Sequence, residues 1–216
     1  GLGDVYKRQH SVGEIAAGAA AGAFSAEAAM VLVRERGRAM AETASRTATS
    51  MTAVIGGDAD EVLAAIEAAG LTPANHNGKG QVVAAGTVEQ LEAFAAKPPS
   101  RTRLFPLSVA GAFHTVHMEP AVDHLREVAA AMPTTTPSVA LLSNLDGNVV
   151  TDGREFANRL VNQVAHPVRW DLCMDTMVKR SVTGLLELAP AGTLTGIAKR
   201  NLKGVELSLI HISEPT

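Results

Sequence analysis

The 216 residues predict an α/β fold interrupted by an inserted α+β unit, and three observations lead there. Apolar residues make up 46% of the chain, which at this length is enough for a sizeable core. Segments with helical spacing and short apolar runs alternate instead of separating into an all-helical and an all-strand half. Between residues 51 and 109 the order reads β-α-β-β-α-β, with a capping signal at the head of each helix.

Taken in order, residues 10–23 are rich in Ala and Gly, which lets a helix approach its neighbours closely. Ser25 is the expected N-cap of a second helix running to about Ser45, with Met30, Leu32, Val33 and Met40 among its apolar positions. A strand is expected at 51–56, then a helix started by Asp58 with Glu61 that carries Val62, Leu63, Ile66 and Ala69. Extended segments follow at 72–76 and 81–85 around the turn Asn77-Gly78-Lys79-Gly80. Thr87 and Gln90 open a helix through Val88, Leu91 and Phe94, and 104–109 reads as a strand. This order is the ferredoxin-like split motif, so residues 51–111 are expected to form a small subdomain. Residues 10–50 and 112–206 are expected to form the α/β part. There, a helix over 121–132 stops at Pro133, a strand occupies 139–142, and Asn144-Leu-Asp-Gly147 makes a turn. Helices are expected at 154–163 and 170–180, a strand at 185–188 and a last helix from about Thr193.

The two ends read differently. Residues 1–9 (GLGDVYKRQ) and 207–216 (LSLIHISEPT) resemble read-through tails of conceptual translations, and neither has the apolar stretch of a secretory signal. Both are expected to be non-native, with the biological chain beginning upstream of His10. They hold the single tyrosine, Tyr6, and His211. A net charge of -3 argues against a phosphate-backbone binder, and 3% aromatics argue against a stacking platform for nucleic acid. One cysteine, Cys173, excludes an internal disulfide and suits a reducing, cytoplasmic setting. No run of about 18 apolar residues is present to span a membrane.

Gln9-His10-Ser11-Val12-Gly13-Glu14 approximates the nucleophile elbow G-x-S-x-G, with Gln9 where the first glycine belongs. Such a turn exposes a hydroxyl at a helix N-terminus, where the next amide can stabilise an oxyanion. Locally, a serine capping an Ala-rich helix explains the same residues. A serine nucleophile needs a neighbouring base, and histidine is the usual one. His114 and His117 have a spacing compatible with metal ligation, but no third ligand accompanies them and no metal is expected.

The ordered series His10-Ser-Val-Gly-Glu14, Arg36-Gly-Arg-Ala-Met40, Phe113-His-Thr-Val-His-Met118 and Gln163-Val-Ala-His-Pro-Val-Arg-Trp170 resembles that of the malonyl-CoA:acyl carrier protein transacylases. The acyltransferase domains of fatty-acid and polyketide synthases are close relatives of that family. Asn75-His-Asn77, Gln81-Val-Val and Ser143-Asn-Leu-Asp146 fit the same pattern, so the likeness runs from Ser11 to Glu206.

The resemblance implies an α/β-hydrolase-like large subdomain with an incomplete parallel sheet. It implies Ser11 as acyl acceptor, His114 as base, and the main-chain carbonyl of Gln163 as the histidine's orienting partner, instead of the carboxylates Asp146 or Asp171. Arg36 matches the arginine that pairs with the malonyl carboxylate, a task suited to the planar guanidinium fork. Ala112 and Phe113 match the pattern associated with malonyl over branched acyl groups. Asn77, Gln81 and Asn144 are candidates to line the site, and the Val12 amide is one oxyanion donor. The family's second donor, a glutamine in a G-Q-G-S-Q motif, is not among these residues, so the chain by itself is expected to be inactive and the intact protein a transacylase. Three further features carry lesser expectations. His166 replaces an asparagine, Ala189-Pro-Ala-Gly192 replaces a G-P-G turn, and Lys199 and Arg200 either contact partners or complement a helix dipole. Glu14 reads as a helix-dipole partner. The implied reaction moves malonyl from malonyl-CoA to the phosphopantetheine thiol of acyl carrier protein, with no bound cofactor. A serine hydrolase or thioesterase with the same pair, or a non-catalytic carrier-binding module, are the alternatives; Arg36 argues against the former.

Overall fold

Capping signals in the sequence become helix starts. In the computed structural model, which describes the backbone of residues 6–7 and then residues 10–188 and 192–210, Ser25 caps α2 (Ala26–Ala44) by accepting from the Ala28 amide, following α1 (Gly13–Ala20). Asp58 accepts from the amides of Asp60 and Glu61 at the head of α3 (Ala59–Ala68). Thr87 and Gln90 form a reciprocal capping box at α4 (Val88–Ala96). These three starts fall where the residue types place them.

The strands between them are β2 (Thr49–Gly56), β3 (Thr72–His76), β4 (Gln81–Thr87) and β5 (Thr102–Pro106). They lie in the order β5-β2-β4-β3, and β2–β5, β2–β4 and β3–β4 are all antiparallel. Helices α3 and α4 cover one face, where Val54, Val62, Ile66, Leu91 and Phe94 form a core. The opposite face buries Met51, Ala53, Val83 and Ala85 against Ala112. Because both faces are covered, these strands read as apolar runs without clean alternation. β5 begins two residues before the expected 104–109 strand and ends at Pro106. A fifth strand, β8 (Val168–Arg169), adds to β3 in parallel at the sheet edge. Two residues are too few to leave a periodic signal, and β8 was not expected.

The remaining elements are a 3-10 helix (Val116–Ala121), α5 (Val122–Ala131), β6 (Ala140–Leu142), β7 (Val149–Val150), α6 (Gly153–Gln163), α7 (Trp170–Lys179), β9 (Gly184–Glu187), α8 (Thr193–Asn201) and β10 (Glu206–Leu209). β1 (Tyr6–Lys7) runs parallel to β6, whose other neighbour β7 is antiparallel. The described strands thus form mixed and separate sheets instead of one parallel sheet. The six-residue connection between β6 and β7 explains this, because a parallel return needs a crossover of about a dozen residues. β10 pairs with β9 in parallel through Leu209. This pairing carries regular structure past residue 206, and Leu207 packs against a core cluster. Residues 189–191, within the Ala189-Pro-Ala-Gly192 segment, and 211–216, including His211, lie outside the described residues.

Ile15 of α1, Leu32 of α2, Phe156 of α6 and Phe24 of the α1–α2 turn pack together with Leu141 of β6. Phe24 and Phe156 stack with centroids 6.3 Å apart, and a Cβ at Gly18 would stand 2.6 Å from one ring and 2.7 Å from the other, so α1 needs glycine there. Phe156→Ala is expected to destabilise the fold by about 3–5 kcal/mol, because the ring is fully buried and its void cannot collapse. A loss of less than about 1 kcal/mol in unfolding free energy by urea titration would contradict this packing. No helix among the described residues is long and apolar enough to cross a membrane.

Candidate active site

Ser11 sits between β1 and the start of α1, in a strand-turn-helix setting. Only four non-glycine residues among those described have positive φ, and two of them are Ser11 (54°) and His114 (63°). A left-handed backbone costs such residues energy and persists only where neighbours enforce it, as at functional sites. The neighbours here are identifiable. The Ser11 amide donates to Asn144 Oδ1 at 2.9 Å, and the His114 amide donates to Val164 O at 2.9 Å.

The two side chains meet, with Ser11 Oγ 2.7 Å from His114 Nε2. His114 Nδ1 lies 2.7 Å from the main-chain oxygen of Gln163. A carbonyl only accepts, so Nδ1 carries the proton and the lone pair of Nε2 faces the serine hydroxyl. His114 is buried, and burial pushes its pKa down to about 3, helped by the charges of Arg36 and His10 and opposed by the Gln163 carbonyl. The imidazole is therefore neutral at neutral pH, the form that accepts a proton. The two carboxylates of the conventional alternative are engaged elsewhere: Asp146 pairs with Arg159 at 2.9 Å, and Asp171 with Arg169 at 2.7 Å.

Arg36 enters from α2, whose inward stripe is Ala29, Leu32, Arg36, Ala39, Met40 and Thr43. Arg34 and Arg38, two residues to either side, point to solvent. Its terminal nitrogen donates to Ser11 Oγ at 3.2 Å and to Gln163 Oε1 at 3.3 Å. Burial lowers its pKa to about 10, yet it stays a cation, and its Nε has no hydrogen-bond partner among the described residues. A buried cation with an unmet donor beside the Ser11 hydroxyl can hold an anionic group.

The remaining candidates divide. Asn144 is fully buried and holds the serine loop as described. Asn77 accepts from His10 Nε2 at 2.9 Å, which ties the β3–β4 turn to the residue before the serine. Phe113 is half-buried between two core clusters. Val12 is exposed at the head of α1, where the amides of Gly13, Glu14 and Ile15 donate to the carbonyls of His10, Ser11 and Val12. Gln81 is turned toward Arg200, its Oε1 accepting from that guanidinium, so it is linked to α8. His166 is exposed, with Nδ1 2.8 Å from Asn162 O. Among the described residues no group of three or more His, Cys, Asp or Glu gathers as a metal site.

One residue has contacts that the sequence did not announce. Glu14 lies in the first turn of α1, where a helix-dipole partner was expected, and it is buried, its Oε1 accepting from the Asn144 amide at 2.9 Å and its Oε2 from Gln163 Nε2. Burial pushes its pKa up to about 8, against those hydrogen bonds, that of Ser143 and the charge of Arg159. The available signal was an ionisable side chain standing alone in a run of Ile, Ala and Gly.

Comparison with known proteins places this geometry. The acyl transferase domain family matches residues 9–210. The malonyl CoA-acyl carrier protein transacylase of Mycobacterium bovis is 49% identical over 202 residues, covering 94% of this chain and 67% of that protein. The crystal structure of MCAT from Mycobacterium tuberculosis superposes with a TM-score of 0.90 at 48% identity, over 93% of this chain and 67% of that one. A malonyl-transacylase in complex with a type II PKS acyl carrier protein aligns with a TM-score of 0.86 at 30% identity, over 93% and 67% of the respective chains.

Proposed function

The chain belongs to the malonyl CoA-acyl carrier protein transacylases of the acyl transferase family, and on that premise we propose how its residues divide the work. The enzyme is an acyltransferase that moves a malonyl group from malonyl-CoA to acyl carrier protein, a step of fatty-acid synthesis. The single observation that carries the assignment of roles is the 2.7 Å contact between Ser11 Oγ and His114 Nε2 beside buried Arg36.

His114 Nε2 takes the hydroxyl proton as Ser11 Oγ attacks the thioester carbonyl carbon of malonyl-CoA. The Val12 amide faces the developing oxyanion, because the Ser11 amide is already committed to Asn144. The carbon–sulfur bond breaks, the proton passes from His114 to the CoA sulfur, and a malonyl-serine ester remains. The phosphopantetheine thiol of the carrier protein then gives its proton to His114 and attacks the ester. The carbon–Oγ bond breaks and Ser11 recovers its proton. Gln163 O holds the imidazole tautomer through both halves, and Arg36 holds the malonyl carboxylate. Phe113 restricts the acyl pocket, and Asn77 and Asn144 support its walls. Malonyl-CoA enters as substrate, and no bound cofactor is required.

The same reading divides the chain into a ferredoxin-like small subdomain at 51–111 and an α/β-hydrolase-like part at 10–50 and 112–206, in a protein of the cytoplasm. Incubation of the full-length protein with malonyl-CoA, followed by peptide mass mapping, tests the roles. A malonyl ester is expected on Ser11 and is expected to disappear on addition of holo acyl carrier protein. An adduct on another residue, or none, overturns the assignment.

A further inference from the structure

The mechanism above leaves the buried carboxyl of Glu14 without a task, and its contacts give it one. Glu14 has two arms. Through Oε1 it accepts from the Asn144 amide (2.9 Å), whose side chain in turn accepts from the Ser11 amide (2.9 Å). Through Oε2 it accepts from Gln163 Nε2, while Gln163 Oε1 accepts from Arg36 (3.3 Å). An amide side chain fits its space almost equally well with oxygen and nitrogen exchanged, so something must select one orientation. Arginine has only donors, and Arg36 therefore requires oxygen from Gln163. That leaves Nε2 in need of an acceptor at the far end, and a Glu14 oxygen supplies it.

We propose that Glu14 is a specificity-determining positioning residue. By fixing the orientation of the Gln163 amide it holds the Arg36 guanidinium in the pose that receives a carboxylated acyl group. The inference rests on the reading that Arg36 binds the malonyl carboxylate. Glu14 touches neither substrate nor the reacting atoms, and it acts through Gln163.

The chemistry of one substitution makes this testable. Each carboxyl oxygen accepts a hydrogen bond whether or not the group carries its proton, whereas an amide nitrogen has no lone pair to offer. In Glu14→Gln the fixed Asn144 amide takes the new side chain's oxygen, so its NH2 faces Gln163. Gln163 then turns its oxygen inward and sets donor against donor at Arg36. Single-turnover acylation of Ser11 with malonyl-CoA and with acetyl-CoA, which lacks the carboxylate, reads the result. The malonyl-to-acetyl ratio of Glu14→Gln is expected to fall about tenfold to a hundredfold, the worth of one hydrogen bond to a charged group. The loss should appear chiefly as a raised KM for malonyl-CoA. Gln163→Ala cuts the same arm from its other end while leaving the main-chain carbonyl to His114, and should lower the ratio similarly. The double variant should be no worse than the poorer single one, since both remove one connection.

Equal losses with both donors, or an additive double variant, would reduce Glu14 to a structural role and overturn the inference. If Glu14→Gln does not fold, the ratio in Gln163→Ala decides alone: an unaltered ratio there overturns it. Failure of the parent protein to form any malonyl adduct would instead sink the functional reading beneath it.

Discussion

Replacing His114 by alanine is expected to slow acylation of Ser11 by malonyl-CoA by about 10²- to 10⁴-fold, the usual contribution of a positioned general base. The serine hydroxyl would face the cavity left by the ring, with Arg36 still 3.2 Å away and no group to take its proton. The effect should lie in the rate and not in substrate affinity, because the ring contacts the nucleophile and not the carboxylate end. The parent protein adds a second arm to the measurement. An ordinary imidazole would protonate near 6.5, but this one is held at about 3 by burial first and by neighbouring charges after it. A lowered pKa keeps the base form populated at lower pH, so acylation at low malonyl-CoA should barely change between about pH 7 and about pH 5. A half-loss near pH 6.5 would mean that the ring is hydrated and not enclosed as described. The same displacement links to stability. The unfolded chain takes up the His114 proton near 6.5 and the folded chain only near 3, so this group's contribution is complete above 6.5 and disappears as pH falls toward 3.

Arg36→Ala should cost about 2–5 kcal/mol in binding the malonyl transition state, as expected when one partner of a buried, hydrogen-bonded charge pair is removed. That corresponds to a fall in kcat/KM of about 30-fold to several thousandfold. Arg36→Lys should recover only part of it. A lysine supplies the charge as a point but cannot satisfy Ser11, Gln163 and an incoming carboxylate from one planar fork. The decisive measurement is the comparison with acetyl-CoA, whose acylation should suffer less than that of malonyl-CoA in both variants. Parallel losses would show that the cation serves the nucleophile and not the acyl group.

Much of this was legible in the residues, and the parts that were not share a physical reason. Ser25, Asp58 and the Thr87–Gln90 pair announce their helices because a cap is satisfied within a few residues of itself. Ser11, His114 and Arg36 were legible through the motifs they sit in. The placement of Arg36 was readable on physical grounds as well, since it shares a 3–4 residue stripe with Leu32 and Met40 while Arg34 and Arg38 do not. What escaped notice depends on contacts between distant segments. Glu14 meets Gln163 across 149 positions and the Asn144 amide across 130, distances over which no periodicity carries information. The two-residue strand β8 exists only because β3 offers it an edge. The link from Gln81 to Arg200 escaped for a similar reason, since α8 brings that guanidinium from 119 positions away.

The twisted backbone at Ser11 and His114 limits repair by glycine. Glycine at either position would relieve the left-handed strain, but it would also erase the alcohol or the imidazole and, at position 114, empty a buried site that holds contacts to Gln163 and Ser11. The strain and the groups it displays cannot be separated by one such replacement.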